Sequence, residues 1–218
     1  MTWTEALKTR RYRWALAFCV ATLMWMVMFV PVFYRDILTP KPGYLLNDFV
    51  LGFFTPRDLS LYIFIILYAA TIQTITSHYR EGDVLLLGLC VYFAMNIVRT
   101  ATMYLITLEP PVGIILLTDP ISSALYPDNG FAKDLFFSGH ISSIMVTVLI
   151  EKNQIARWLK IAGTFLMAVL LAWQHVHYTV DLVVAPLATY GVFLMVARLL
   201  KSTNFIGKNA SNREKPLI

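Results

Sequence analysis

Residues 14–34, Trp-Ala-Leu-Ala-Phe-Cys-Val-Ala-Thr-Leu-Met-Trp-Met-Val-Met-Phe-Val-Pro-Val-Phe-Tyr, run for 21 positions without a charge. At 1.5 Å per residue a helix of that length reaches about 32 Å, enough to cross the hydrocarbon core of a bilayer. Residues 59–77 give a second uncharged stretch, and 84–108 a third interrupted only by Arg99. Residues 135–150, 158–176 and 179–200 complete six; they carry His140, Lys160 and Asp181 near their ends. The composition agrees: 58% of the 218 residues are hydrophobic and 14% charged, against about 25% charged in a soluble domain. The first stretch is too long for a signal peptide and no small-residue cleavage site follows it. The expectation is an all-α integral membrane protein, a bundle of six transmembrane helices.

The basic residues predict its orientation, because Lys and Arg concentrate on cytoplasmic loops. Lys8, Arg10, Arg11 and Arg13 precede the first span. Arg80 lies between the second and third, Lys152, Arg157 and Lys160 between the fourth and fifth, and five more stand from Arg198 onward. That puts 13 of the 18 basic residues on one side. The other side holds Arg35, Lys41, Arg57 and Lys133 with most of the acids: Asp36, Asp48, Asp58, Glu109, Asp119, Asp128, Asp134 and Asp181. Both termini are therefore expected in the cytoplasm. Residues 1–13 form a basic N-terminus, 14–200 the membrane domain and 201–218 a basic tail. The net charge of +5 reads as anchoring against anionic lipid, not as nucleic-acid binding. On the cytoplasmic side the acceptor triplet Asn209-Ala210-Ser211 carries no glycosylation signal. Cys19 and Cys90 fall inside spans and read as small core residues, neither a disulfide nor a metal pair.

Against this apolar background a few polar groups stand out. An ionisable side chain at mid-membrane costs about 2.5–3.5 kcal/mol, so such groups are candidates for function. Arg99 lies about 22 Å along the third span, His140 about 8 Å into the fourth, and His177 and Asp181 at the outer end of the sixth. Three segments thus bring ionisable groups to one level. His177 and Asp181 are spaced i, i+4, which places them on one helical face if both are helical. The carboxylate can then hold one imidazole nitrogen and leave the other as a nucleophile. His140 can supply the acid that protonates a leaving alkoxide. Ser138 and Gly139 open its helix, where free N–H groups favour a phosphate and glycine permits close approach. Arg99 is read as a phosphate contact, with pairing to Asp181 or an outer-loop acid as the alternative. The competing reading of His177 with Asp181 is a structural ion pair. His175 points to a different face and reads as a packing or interfacial residue, His78 as a solvated turn residue, and Trp14, Trp158 and Trp173 as interface anchors. No cluster of carboxylates or Cys/His ligands suggests a metal, and no cofactor is expected.

At these residues the chain resembles the sphingomyelin synthase-related family, a branch of the type 2 phosphatidic acid phosphatase (lipid phosphate phosphatase) superfamily. Asp134-Leu-Phe-Phe-Ser-Gly-His140 is similar to that branch's Gly-Asp-x-x-Phe-Ser-Gly-His motif, with Lys133 in place of Gly. His177-Tyr-Thr-Val-Asp181 is similar to its His-Tyr-Thr-x-Asp motif, and the stretch from Arg99 to Pro111 to its third-helix motif. The likeness covers residues 80–200, with weaker support from Asp48 and Asp58. The resemblance implies six transmembrane helices, a lumenal or periplasmic site and a His-His-Asp triad. It also implies transfer of a phosphorylated head group from a phospholipid donor to a ceramide-like or diacylglycerol-like alcohol. The phosphatase branch's Lys-x6-Arg-Pro motif is missing, Leu171 stands where that branch has Arg, and Ile141 follows His140 where Thr is common. A phosphomonoester carries nearly two charges and a diester one, so a site with Arg99 and Lys133 as its nearby cations suits a diester. The rival readings are a hydrolase, phospholipase C-like or phosphatase, and a non-enzymatic transporter or scaffold.

Overall fold

The computed structural model describes residues 1–118 and 132–200. Asp119, Asp128, the basic residues of 201–218 and Asn209 lie outside the described residues. The described chain is helical, with a single isolated bridge between Tyr44 and Leu108 and no strand. A short helix α1 (Trp3–Lys8) leads into α2 (Arg10–Val32), which widens into a π-helical turn over Phe33–Leu38. Then come a 3-10 turn (Leu51–Phe53), α3 (Ser60–His78), α4 (Gly82–Leu105), α5 (Gly139–Ile150), α6 (Gln154–Trp173) and α7 (Thr179–Leu199). Five helices, Arg10–Leu38, α3, α4, α6 and α7, are long and apolar enough to cross a membrane. By length and composition the chain is a multi-pass membrane protein.

The fourth expected span, 135–150, differs. Helix begins only at Gly139, so α5 has 12 residues and rises about 18 Å, well short of a bilayer core. Leu135 and Phe137 are apolar and buried, but their backbone does not continue the helix. Arg99 Nε donates to Phe137 O at 2.6 Å and Thr102 Oγ1 to Phe136 O at 3.2 Å. Carbonyls held by α4 side chains are not available to a helical ladder, and the Ser138 hydroxyl stops it by accepting from Ile141 N. An apolar run therefore overstated the helix, and His140 sits in its first turn rather than about 8 Å along it.

Helix α5 packs against α3, α4, α6 and α7. Over its most apolar stretch α4 has 56% of its residues buried, against 17% for α2, which makes α4 a central post and α2 a peripheral one. Val91, Met95, Ile141, Ile144, Met167, Leu171 and Ala185 form the shared core. Cys19 and Cys90 are buried in it as free thiols, their Sγ atoms 3.5 Å apart. At the end away from His140, Glu151 follows α5 and is buried with Lys160, whose Nζ donates to it at 2.7 Å. His78, expected in solvent, is 3% exposed there, its Nδ1 at 3.1 Å from Thr74 O and its Nε2 at 3.8 Å from Glu151. A carboxylate stranded inside the bundle by a short helix needs such partners, and both come from neighbouring helices.

Candidate active site

The site forms where α4, α5 and α7 meet beneath the connections 39–59 and 106–118. From Trp173 the chain turns through Gln174, His175 (φ 57°), Val176 and His177 before α7 begins at Thr179. His177 thus precedes the helix instead of lying one turn from Asp181 on its face. The two still meet, because Asp181 is the third residue of α7 and its carboxylate reaches back over the first turn. Asp181 Oδ2 accepts from Tyr178 N at 3.2 Å, and His177 Nδ1 stands 3.4 Å from it. His177 is 1% exposed and Asp181 0%.

The N-terminus of α7 is fastened from outside its own sequence. Asp48 accepts from Thr179 N at 2.6 Å and from Thr179 Oγ1 at 3.0 Å. Burial works to raise the Asp48 carboxyl, but the hydrogen bonds from Thr179 and Val50 hold it below its usual range. Tyr178 Oη donates to Glu109 O at 2.9 Å and accepts from Leu46 N at 3.3 Å, pinning both connections to the turn. Glu109 is in turn held low by Lys133, 2.8 Å away, and by Gly43 N. His175 is a buried clasp: Nδ1 lies 2.9 Å from Val112 O, and Nε2 lies 3.1 Å from Leu51 O and 3.2 Å from Phe54 O. It is buried and binds the two connections together.

His140 enters from the first turn of α5. Its ring centroid is 6.5 Å from that of His177 and 5.7 Å from Phe64 on α3. Ser138 is fully buried; its N–H donates to Asp181 O at 3.3 Å and its hydroxyl caps α5. These bonds give Ser138 a scaffolding place and leave the first N–H groups of α5, at Gly139 and His140, without intrahelical acceptors. Arg99 lies against Gly139, where a Cβ would stand 2.9 Å from both Cζ and Nη1. A side chain at 139 would force the guanidinium to shift.

Arg99 also has a partner that sequence reading left open. Its Nη2 donates to Asp134 Oδ1 at 2.5 Å, Asp134 is bonded by the Tyr34 hydroxyl as well, and Nε is spent on Phe137 O. Burial favours the neutral Asp134, yet the Arg99 charge and the Tyr34 hydrogen bond hold this carboxyl below its normal range. The guanidinium is thus paired with a carboxylate before any substrate arrives, with its Nη1 edge on the Gly139 side. All six expected site residues, Arg99, Ser138, Gly139, His140, His177 and Asp181, lie in one connected cluster. Asp134 and Tyr178 stood inside the motifs and Asp48 lent the resemblance weaker support, but their partners were not visible; Tyr34 gave no usable signal beyond its residue type. Among the described residues no three His, Cys, Asp or Glu side chains gather as metal ligands.

Residues 133–198 match the family model described as PAP2 superfamily C-terminal. That match supports membership of the PAP2 superfamily. It spans Asp134, His140, His177 and Asp181, and leaves Arg99 and Asp48 outside. No curated protein matches the chain. PAP2 proteins are phosphatases and phosphotransferases, so the match supports an enzyme of that type, with lipid substrates in keeping with the apolar helices around the cluster.

Proposed function

We propose that the protein is a lipid head-group phosphotransferase, sphingomyelin synthase-like, that acts on phosphodiesters. The observation that carries the reading is the facing pair of imidazoles, His140 and His177, 6.5 Å between ring centroids, with Asp181 at Nδ1 of one of them. With Nδ1 held by the carboxylate, His177 presents Nε2 as the nucleophile. Its lone pair attacks the phosphorus of a phospholipid, the bond from phosphorus to the diacylglycerol oxygen breaks, and protonated His140 gives its proton to that oxygen. A head-group phosphohistidine remains. His140, now neutral, removes the proton from a lipid alcohol; the alcohol oxygen attacks phosphorus and the phosphorus–nitrogen bond breaks, restoring both histidines.

The Arg99–Asp134 pair bears on the substrate. A monoester dianion needs cations in excess, whereas Arg99 is already paired with Asp134. A diester monoanion suits that balance. The second reading, transfer to water, draws on the PAP2 match, since phosphatases belong to that superfamily. The exposed basic residues Lys8, Arg10, Arg11, Arg13 and Arg80 stand at the end of the bundle away from His140, and the positive-inside rule makes this a support for an extracytoplasmic site.

The test supplies labelled phospholipid to the purified protein with and without ceramide or another lipid alcohol. Label appearing in a new lipid only when the alcohol is present supports transfer; free phosphorylated head group at the same rate in both supports hydrolysis. His177→Ala and His140→Ala should each abolish turnover in a folded protein, and near-normal transfer in either would sink the scheme.

A further inference from the structure

The connection 43–55 is fixed along its backbone yet holds large apolar side chains away from the protein. Gly43 N donates to Glu109 Oε1 at 2.8 Å, and Tyr44 exchanges two bonds of 3.0 Å with Thr107 and Glu109. Leu46 N donates to Tyr178 Oη at 3.3 Å. The carboxylate of Asp48 is tied to Thr179. The carbonyls of Leu51 and Phe54 face His175 Nε2, and that of Thr55 accepts from Trp173 Nε1 at 3.1 Å. Even so, Tyr44 is 77% exposed, Leu45 60%, Phe49 79% and Phe53 70%. Phe49 and Phe53 pack edge to face, 4.8 Å between centroids, and so present one ridge.

A loop this well anchored could have turned those side chains inward had water been its surroundings; contiguous exposed apolar patches of this kind mark a partner or a membrane. The nearby charges select between them. Asp48 is engaged with Thr179, and just beyond the connection Asp58 accepts from Ser60 N while Arg57 is exposed and in no ion pair among the described residues. Aromatic and leucine side chains beside an exposed arginine match the polar–apolar boundary of a leaflet. The ridge also stands at the end of the bundle where α3 begins and α4 and α6 end, an end at which Leu105 and Val112 are likewise exposed.

We propose that the 43–55 connection lies in the lipid leaflet at the site end, with Tyr44, Leu45, Phe49 and Phe53 seated among the acyl chains just below the phosphates. Asp48, between Leu45 and Phe49, is then clamped at the head-group level, and through Thr179 it sets the height of the turn that carries His177. This placement requires the protein to be in a bilayer and does not depend on the reaction.

Nitroxide labels at Phe49→Cys, Phe53→Cys and Asn47→Cys, each in the full chain, test it in phosphatidylcholine–phosphatidylglycerol vesicles. Cys19 and Cys90 are 4% exposed inside the bundle, so an aqueous reagent marks the new position. The expected result is more frequent collision with dissolved oxygen than with a water-soluble nickel chelate at 49 and 53, and the reverse at the exposed Asn47. Chelate collisions at 49 and 53 as frequent as at 47 overturn the proposal. So does spin–spin broadening that grows with the protein-to-lipid ratio, which would put a second copy on the ridge. Should a labelled chain fail to fold, Phe49→Trp in vesicles of brominated lipid gives the same answer: extra quenching relative to the parent is expected, and none refutes the placement. Because neither readout involves turnover, failure here leaves the phosphotransfer reading untouched.

Discussion

Asp48 caps the helix that begins at Thr179, accepting from its N–H at 2.6 Å and its hydroxyl at 3.0 Å across 131 positions of sequence. A helix N-terminus has orphan N–H donors and a partial positive charge, and a carboxylate satisfies both. Here the residue just before the helix is Tyr178, whose hydroxyl is engaged elsewhere, so the cap comes from another connection. Two positions upstream of Thr179 stands His177, which makes the cap part of the site's framework.

Replacing Asp48 by Ala should destabilise the protein by about 1 kcal/mol, the usual cost of a lost cap, and Asp48→Asn by less. The acid side supplies a sharper check. A carboxyl held below its unfolded value contributes stability that is complete above that value, about pH 4, and is lost as the pH falls through the lower folded one. Melting temperatures in detergent between pH 6 and 3 should therefore fall less steeply for Asp48→Asn than for the parent. Parallel curves would detach the cap from acid stability.

Asp181 has two duties, holding His177 Nδ1 and accepting from Tyr178 N. Asp181→Asn keeps an acceptor for the backbone but removes the charge that stabilises an imidazolium and selects its tautomer. Comparable changes in hydrolase triads cost about 10⁴ in rate. A folded Asp181→Asn protein with phosphotransfer lowered at least about 100-fold is expected. A variant that unfolds while its folded fraction works normally would assign Asp181 to the scaffold.

Gly139→Ala places a methyl 2.9 Å from the Arg99 guanidinium. The arginine has little room to give, with Nε on Phe137 O and Nη2 on Asp134. Overpacking of this kind costs about 1–3 kcal/mol, and turnover should drop with it because the displaced group borders His140. Thermal melting beside a transfer assay measures both, and an unchanged variant would show that the contact is loose.

Glu151→Gln probes the other end. Lys160, 6% exposed, would lose its carboxylate partner, and an uncompensated buried charge costs about 3–5 kcal/mol. The expected signature is a lowered melting temperature with normal turnover per folded molecule. A large loss of specific activity at unchanged stability would connect this cluster to the chemistry instead.

The amino-acid sequence alone determined the helical membrane class and the polar residues worth following. In a chain this apolar the bilayer tolerates few ionisable groups, so Arg99, His140, His177 and Asp181 were conspicuous by type and depth. Periodicity also put His177 and Asp181 within reach of each other, although the contact is made by a carboxylate capping its own first turn. Only the tertiary structure decided the rest. Leu135 to Phe137 read as membrane helix because hydropathy records what is buried, not which carbonyls Arg99 and Thr102 will take. Arg99 found Asp134, Thr179 found Asp48, and His78 and Lys160 closed on Glu151, each across a separation that no local pattern encodes. Those pairings arise because packing helices strips water from polar groups, and whichever complementary group the fold delivers must then replace it.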